Sequence, residues 1–190
     1  MKNSFAILGL AATLLALPAL AEKADHDKPM NIDADKLRYD DLNQQSVFTG
    51  HVLLTKGTIV IRGEQLSVRQ DPDGSQHALV TAAPNALAFF RQKREALDEF
   101  IEGEGETITY DGAADTVTFT RRAQMRRFRG TQLADQISGA VIVYENLSDI
   151  FRVDGNNSVL GSDSKVVNSG GRVHAMLTPK PAASAASAAP

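Results

Sequence analysis

The sequence predicts an exported, all-β protein. Three features carry that prediction: an apolar leader with a cleavage site, alternation of apolar and polar residues by twos from about residue 30 to 178, and turn-forming clusters that cut the alternation into short strands.

Lys2 and the free amine open the leader, residues 5–17 are apolar, and Pro18 breaks the run ahead of Ala19-Leu20-Ala21, the small-x-small form of a signal-peptidase site. An apolar run of ~13 residues is too short for a bilayer core of about 30 Å. Residues 1–21 are therefore read as a signal peptide cleaved after Ala21. Residues 22–28 form a flexible N-terminus, 29–179 one β domain, and 180–190 a Pro/Ala/Ser tail with too little apolar bulk to order itself. The 190 residues contain no cysteine, so disulfide, thiolate and iron–sulfur chemistry are excluded. An exported chain without disulfides points to a bacterial periplasm. With 20 basic and 23 acidic residues, and one basic residue lost with the leader, the mature chain is near −4, which argues against nucleic acid as a partner.

Turn signals stand at Asp40-Asp41-Leu42-Asn43, Lys56-Gly57, Asp71-Pro72-Asp73-Gly74 and Asp111-Gly112. Asp73-Gly74 marks a hairpin because glycine reaches positive φ without a steric penalty. Residues 91–100 carry the only helical period and are expected as a long loop or a single helical turn. Residues 155–171 read as a longer polar loop.

Between the turns the chain repeats itself. Asp35-Lys36-Leu37-Arg38-Tyr39-Asp40 has the same acid–polar–apolar–x–apolar–polar form as Glu64-Gln65-Leu66-Ser67-Val68-Arg69 and Glu106-Thr107-Ile108-Thr109-Tyr110-Asp111, with a weaker copy at residues 140–145. Three copies are followed by a second alternating strand: residues 47–52, 117–120 and 150–153. A hairpin cannot bury its apolar face alone, so such units must stack or face each other. Side chains two apart share a face, which puts Leu37 with Tyr39, Leu66 with Val68, Ile108 with Tyr110, and Ile142 with Tyr144. Val52, Leu54, Ile59 and Ile61 share a face across the Lys56-Gly57 turn. Arg38, Ser67, Thr107, Thr109 and Thr118 face the other way. One-sided strands of this kind build two facing sheets, as a sandwich, jelly roll or barrel, and alternation alone fits a closed core as well as an open groove.

Catalytic patterns are absent from the sequence. His26, His51, His77 and His174 lack metal-ligand spacing, Gly103-Glu104-Gly105 is followed by Ile108 where a dinucleotide loop needs glycine, and Asp71-Pro72-Asp73-Gly74 lacks the downstream acid of a calcium loop. Asp98, Glu99, Glu102, Glu104 and Glu106 read as a solvated charged face. The expectation is a binding protein with no cofactor and no metal. Arg121, Arg122, Arg126, Arg127 and Arg129 form one basic cluster, and Arg91, Lys93 and Arg94 another. Both suit a solvated face, and arginine's bidentate geometry also suits a phosphate.

Met30-Asn31-Ile32-Asp33-Ala34-Asp35, Tyr39, Val47-Phe48-Thr49-Gly50-His51-Val52, Gly57-Thr58-Ile59-Val60-Ile61 and the strand around Leu66 resemble the OstA-like family of periplasmic lipopolysaccharide-transport proteins (the LptA family). Pro84 with Phe89-Phe90, the Ile108–Tyr110 strand and residues 172–179 extend the resemblance, which is closest up to Val68 and loosest at 155–171. It implies an open, V-shaped β-jelly roll with an apolar groove between two antiparallel sheets. It also implies lipopolysaccharide as ligand, head-to-tail self-association, an LptC-like inner-membrane component and the periplasmic domain of an LptD-like outer-membrane protein as partners. On that reading Met30, Ile32, Leu37, Tyr39, Phe48, Val52, Leu54, Ile59, Ile61, Leu66, Val68, Phe89, Ile108, Tyr110, Phe119, Ile142 and Tyr144 line the groove, and Val173 and Met176 anchor the assembly edge. A ligand-free adaptor that joins envelope proteins by strand addition is the alternative.

Overall fold

The alternating segments are strands in the computed structural model, which describes residues 25, 28–94, 98–156 and 171–179. The leader with its cleavage site, most of the 22–28 segment, residues 157–170 of the polar loop and the 180–190 tail lie outside the described residues. Twelve strands follow in order: β1 (Met30–Asp33), β2 (Lys36–Asp40), β3 (Gln45–Lys56), β4 (Ile59–Gln70), β5 (Gln76–Thr81), β6 (Ala88–Lys93), β7 (Glu99–Gly105), β8 (Thr107–Asp111), β9 (Thr116–Arg129), β10 (Gln132–Glu145), β11 (Ile150–Asp154) and β12 (His174–Leu177). Every pairing is antiparallel, and no helix occurs among the described residues.

The described residues at both ends of 91–100 are strand, where a long loop or a helical turn was expected. Arg91 to Lys93 finish β6, and Glu99 and Phe100 begin β7. The charges that look helical in sequence pair across this hairpin: Arg91 faces Glu102, Arg94 bonds Glu99, and the Arg91 guanidinium lies over the Phe100 ring.

The four long strands each serve two layers. Residues 45–49 of β3 pair with β2, and residues 53–56 pair with β1. Likewise β4 meets β6 with its first half and β5 with its second. The pattern recurs: β9 meets β8 and then β7, and β10 meets β12 and then β11. One layer therefore runs β2-β3-β4-β5-β8-β9-β10-β11, and the other β1-β3-β4-β6-β7-β9-β10-β12.

The chain is thus two copies of one six-strand unit, β1–β6 and β7–β12. The bulge between Thr49 and Val52 matches the irregularity opposite Thr120 and Ala123, so Phe48, Leu54 and Lys56 of the first unit correspond to Phe119, Met125 and Arg127 of the second. Gly63 and Gly139 correspond in the same way. A Cβ on Gly63 would lie 2.4 Å from a Val80 methyl, and one on Gly139 would lie 2.7 Å from a Val153 methyl, so neither bend admits a side chain.

The layers meet through Leu66, Ile108, Phe119 and Ile142 of the first and Phe90 and Ile101 of the second, all fully buried. Phe119 and Phe90 pack edge to face at 5.6 Å. Gly103 makes room for this: a Cβ there would be 2.3 Å from the Phe119 ring.

Two stability outcomes follow from that contact. Phe119→Ala should cost about 3–5 kcal/mol, and Gly103→Val about 1–3 kcal/mol by overpacking. Leu42→Ala at an exposed turn should stay within about 0.5 kcal/mol. Urea unfolding at a constant slope measures all three.

Candidate functional site

The strand registers carry two apolar rows across the inner face of the first layer. One runs Leu37, Phe48, Leu66, Val80, Ile108, Phe119, Ile142, Val153. The next runs Tyr39, Ser46, Val68, Ala78, Tyr110, Val117, Tyr144, Phe151 over the same strands. The facing layer carries Ile32, Leu54, Ile61, Phe90, Gly103, Met125, Ile137 and Ala175 in register. Met30, Val52 and Ile59 also pack into this interior.

Most residues singled out from sequence therefore share one surface. Two of them, Leu37 and Tyr39, have the expected face but are 59% and 55% exposed. They sit on β2, where the row runs out, with no strand beyond it among the described residues. Phe89 is a correction. It pairs with Arg62 on the outer face, its ring beneath that guanidinium, while Phe90 points inward at 0% exposure. Parity decides between the two: Ala88, Phe90 and Gln92 form the buried set on β6. Phe90, Val80, Ile101 and Met125 complete the interior and were missed. Alternation of Ala78 with Val80 and of Ile101 with Gly103 was the available signal.

The layers join at the four bends, and the turns at the other ends of the strands face each other across a mouth. Two contacts bridge the mouth: the Lys56 ammonium lies over the Tyr110 ring at 5.4 Å, and Arg94 pairs with Asp149 at 3.1 Å. Burial, then the nearby charges of Asp115 and Asp111, push the Tyr110 hydroxyl up to about 12. The Tyr144 hydroxyl is likewise raised, first by burial and then by Asp149, to which it donates a hydrogen bond. Both rings thus stay neutral across the physiological range.

All five arginines of the basic cluster are engaged by carboxylates of this chain. Arg121 and Arg122 donate from Nε to the two oxygens of Glu106, at 2.7 and 2.9 Å, and Arg122 also donates to the Ala86 carbonyl. Both hold left-handed backbone, at φ 59° and 50°, a region that side-chain sterics disfavour and that the shared carboxylate helps to fix. Arg126 pairs with Glu104, Arg129 with Glu99, and Arg127 with Asp135. Burial opposes ionisation of Glu99, but hydrogen bonds from Arg94 and Arg129 outweigh it and hold the carboxyl below its ordinary range. Asp135 is buried too, and the Thr178 N–H and Arg127 lower it.

At the first unit's bend the equivalent pair is Asp35 with His51, Nδ1 to Oδ2 at 2.8 Å. Strand edges complete the site. β2 and β11 end one layer, β1 and β12 the other. Val173 and Met176 lie by the β12 edge, 46% and 42% exposed.

A two-layer antiparallel β fold of shared long strands, with an apolar interior between the layers, is the class of architecture that this chain builds. The family described as LptA/(LptD N-terminal domain) LPS transport protein matches residues 31–150. The Pseudomonas aeruginosa lipopolysaccharide export system protein LptH is 26% identical over 174 residues, 92% of this chain and 93% of that protein. The Escherichia coli K12 lipopolysaccharide export system protein LptA is 32% identical over 133 residues, covering 69% and 71%. The crystal structure of the P. aeruginosa protein, the LptA-homologous periplasmic component of a lipopolysaccharide transport device, matches with a TM-score of 0.68 at 20% identity, covering 82% of this chain and 99% of that one. The chain belongs to the LptA/LptD N-terminal-domain family of lipopolysaccharide transport proteins.

The bend at His51 makes a pH prediction. The hydrogen bond to Asp35, then the charges of Asp35 and Glu64, raise His51 above its ordinary value of 6.5. A raised folded-state pKa stabilises the fold below the unfolded value, and the gain fades as pH climbs through the folded value. The loss of thermal midpoint in His51→Gln should therefore be largest just below the ordinary histidine range and shrink toward alkaline pH. An NMR titration should find His51 above 6.5 and back near it in Asp35→Asn.

Proposed function

We propose that this protein carries lipopolysaccharide through the periplasm between the inner and outer membranes, with lipid acyl chains against the inner face of its two layers. One observation carries the reading: a single apolar row crosses both units from Leu37 to Val153 without a polar member. Each methylene moved from water to such a surface contributes ~0.8 kcal/mol. A row of near-equal sites gives affinity without one deep well, which suits a cargo that must be passed on. The side chains fill the space between the layers, so acyl chains enter by parting them along the mouth, where Lys56–Tyr110 and Arg94–Asp149 cross. The work needs no chemistry from this chain, and it acts as a carrier rather than an enzyme.

Assembly follows from the repeat. Inside the chain the first unit joins the second by β5 to β8 in one layer and β6 to β7 in the other. The free edges, β11 with β12 and β2 with β1, are the repeat equivalents of those strands. A second copy can therefore add by the same pairing, setting Val153 beside Leu37, Phe151 beside Tyr39 and Ala175 beside Ile32. This covers the exposed Leu37 and Tyr39 and continues the apolar row into the next molecule. Two different edges make a heterologous joint, which propagates. Strand addition draws on main-chain bonds, so an LptC-like domain at one end and an LptD-like domain at the other can use the same edges.

A photocrosslinker in place of Ile108 should capture lipopolysaccharide, and one in place of Thr109, on the outer face, should not. Equal capture contradicts the assigned face. Ile108→Asp sets an unpaired carboxylate in the interior and should abolish transfer. The adaptor reading, with no ligand, predicts no capture at either position.

For the joint, Leu37→Cys combined with Val153→Cys should give disulfide-linked ladders on oxidation. Leu37→Cys with Arg152→Cys, one residue out of register and on the opposite face, should not.

A further inference from the structure

The mouth is charge-balanced in the second unit and not in the first. In the second unit Arg127 stands directly across from Asp135 and pairs with it, and Glu99 pairs with Arg94 and Arg129. The repeat sets Lys56 in the place of Arg127, Ile59 in the place of Asp135, and Lys28 in the place of Glu99. The first unit keeps the cation and replaces both carboxylates.

Lys56 is nonetheless only 8% exposed. Its contact is the Tyr110 ring, and among the described residues no carboxylate lies within ion-pair reach of it. A ring face is a weak substitute for a counter-charge beside an ammonium. Three acids of the surrounding turns accept hydrogen bonds from other groups. Asp25 accepts from the Thr58 backbone N–H, the Thr58 hydroxyl and Gln92, Asp73 accepts from the Ser75 N–H, and Asp111 from Ala113 and Ala114.

Lys56 and Tyr110 are shared by two adjoining spaces. Above them is a polar recess of about 390 Å³ with Lys28, Gln76 and the Asp73 carboxylate on its walls, the last turned to the Ser75 N–H. Below is an apolar cavity of about 10 Å³ bounded by Met30, Leu54, Ile59 and Ala78. A cation with no ion pair among the described residues, set between a polar recess and an apolar interior, matches the polarity of an anionic amphiphile at the junction of headgroup and chains.

We propose that Lys56, with Lys28 beside it, binds a phosphate monoester at the mouth of the first unit, held on the headgroup of a lipid whose acyl chains lie in the interior below. The proposal rests on the lipid-carrying reading. It moves the phosphate contact from the five arginines, each of which already holds a carboxylate of this chain, to a lysine that holds none among the described residues.

The test compares bisphosphorylated lipid A with its dephosphorylated form in binding to the full mature chain. Wild type should prefer the phosphorylated form, with a preference that falls as salt rises. Lys56→Gln should lose roughly tenfold in affinity for the phosphorylated lipid and nothing for the other. Lys56→Arg should restore the preference, which separates charge recognition from damage to the fold. Equal loss for both lipids in Lys56→Gln, or no preference in wild type, overturns the proposal while leaving lipid carriage intact. If neither lipid binds, the carriage reading fails, and phosphorus NMR with inorganic phosphate decides the site. Phosphate broadening that vanishes in Lys56→Gln keeps a free-phosphate site, and no broadening overturns it.

Discussion

Each of the four long strands hydrogen-bonds to one set of neighbours before its bend and to another after it, and the rest of the structure depends on those bends. A strand that continued straight would leave half its ladder unpaired. On β3 and β9 an extra residue takes up the turn, with left-handed backbone at Gly50 and His51 and at Arg121 and Arg122. On β4 and β10 the change is made at Gly63 and Gly139, where inward parity switches: Ile61 and Leu66 both face the interior, as do Ile137 and Ile142. The acid at the start of the next short strand locks each bulge, Asp35 to His51 in one unit and Glu106 to both arginines in the other. All five of these residues thus serve the fold's corners.

Because both units bend in the same way, the molecule has a direction and no natural end. The junction between the units is two strand pairings and a shared apolar row, and both outer ends offer the same parts unpaired. Exposed hydrophobics gather there: Leu37 and Tyr39 at one end, Ile150, Met176 and Leu177 at the other. Unprotected edges and open apolar side chains are a hazard for a protein meant to stay monomeric. On the proposed reading they are the means of extension, and transport surface and assembly surface are continuous.

Much of this was legible in the residues. The period of two, the turns at Lys56-Gly57 and Asp73-Gly74, and the repeated acid–polar–apolar unit are local signals, and they placed the strands and most of the interior. What was not legible depends on pairing between distant strands. Residues 91–100 read as loop or helix because their charges are balanced across a hairpin rather than along the chain. Phe89 and Phe90 are adjacent aromatics, and only the register with β4 assigns their faces. The arginines looked available to a ligand because Glu99, Glu104, Glu106 and Asp135, which neutralise four of them and help with the fifth, stand outside β9. Lys56 gave the reverse error: one lysine before a turn is unremarkable until its counterpart Arg127 is seen with a partner that Lys56 lacks.

The central claim is that the internal junction is the template for the joint between molecules, and hydrogen exchange read against protein concentration tests it most directly. Amides of β5 and β8 should be protected at every concentration, since their junction is within one chain. Amides at the free edges of β1, β2, β11 and β12 should exchange fast when dilute and gain protection together as oligomers form. Oligomers that form while those four edges stay unprotected would contradict the account.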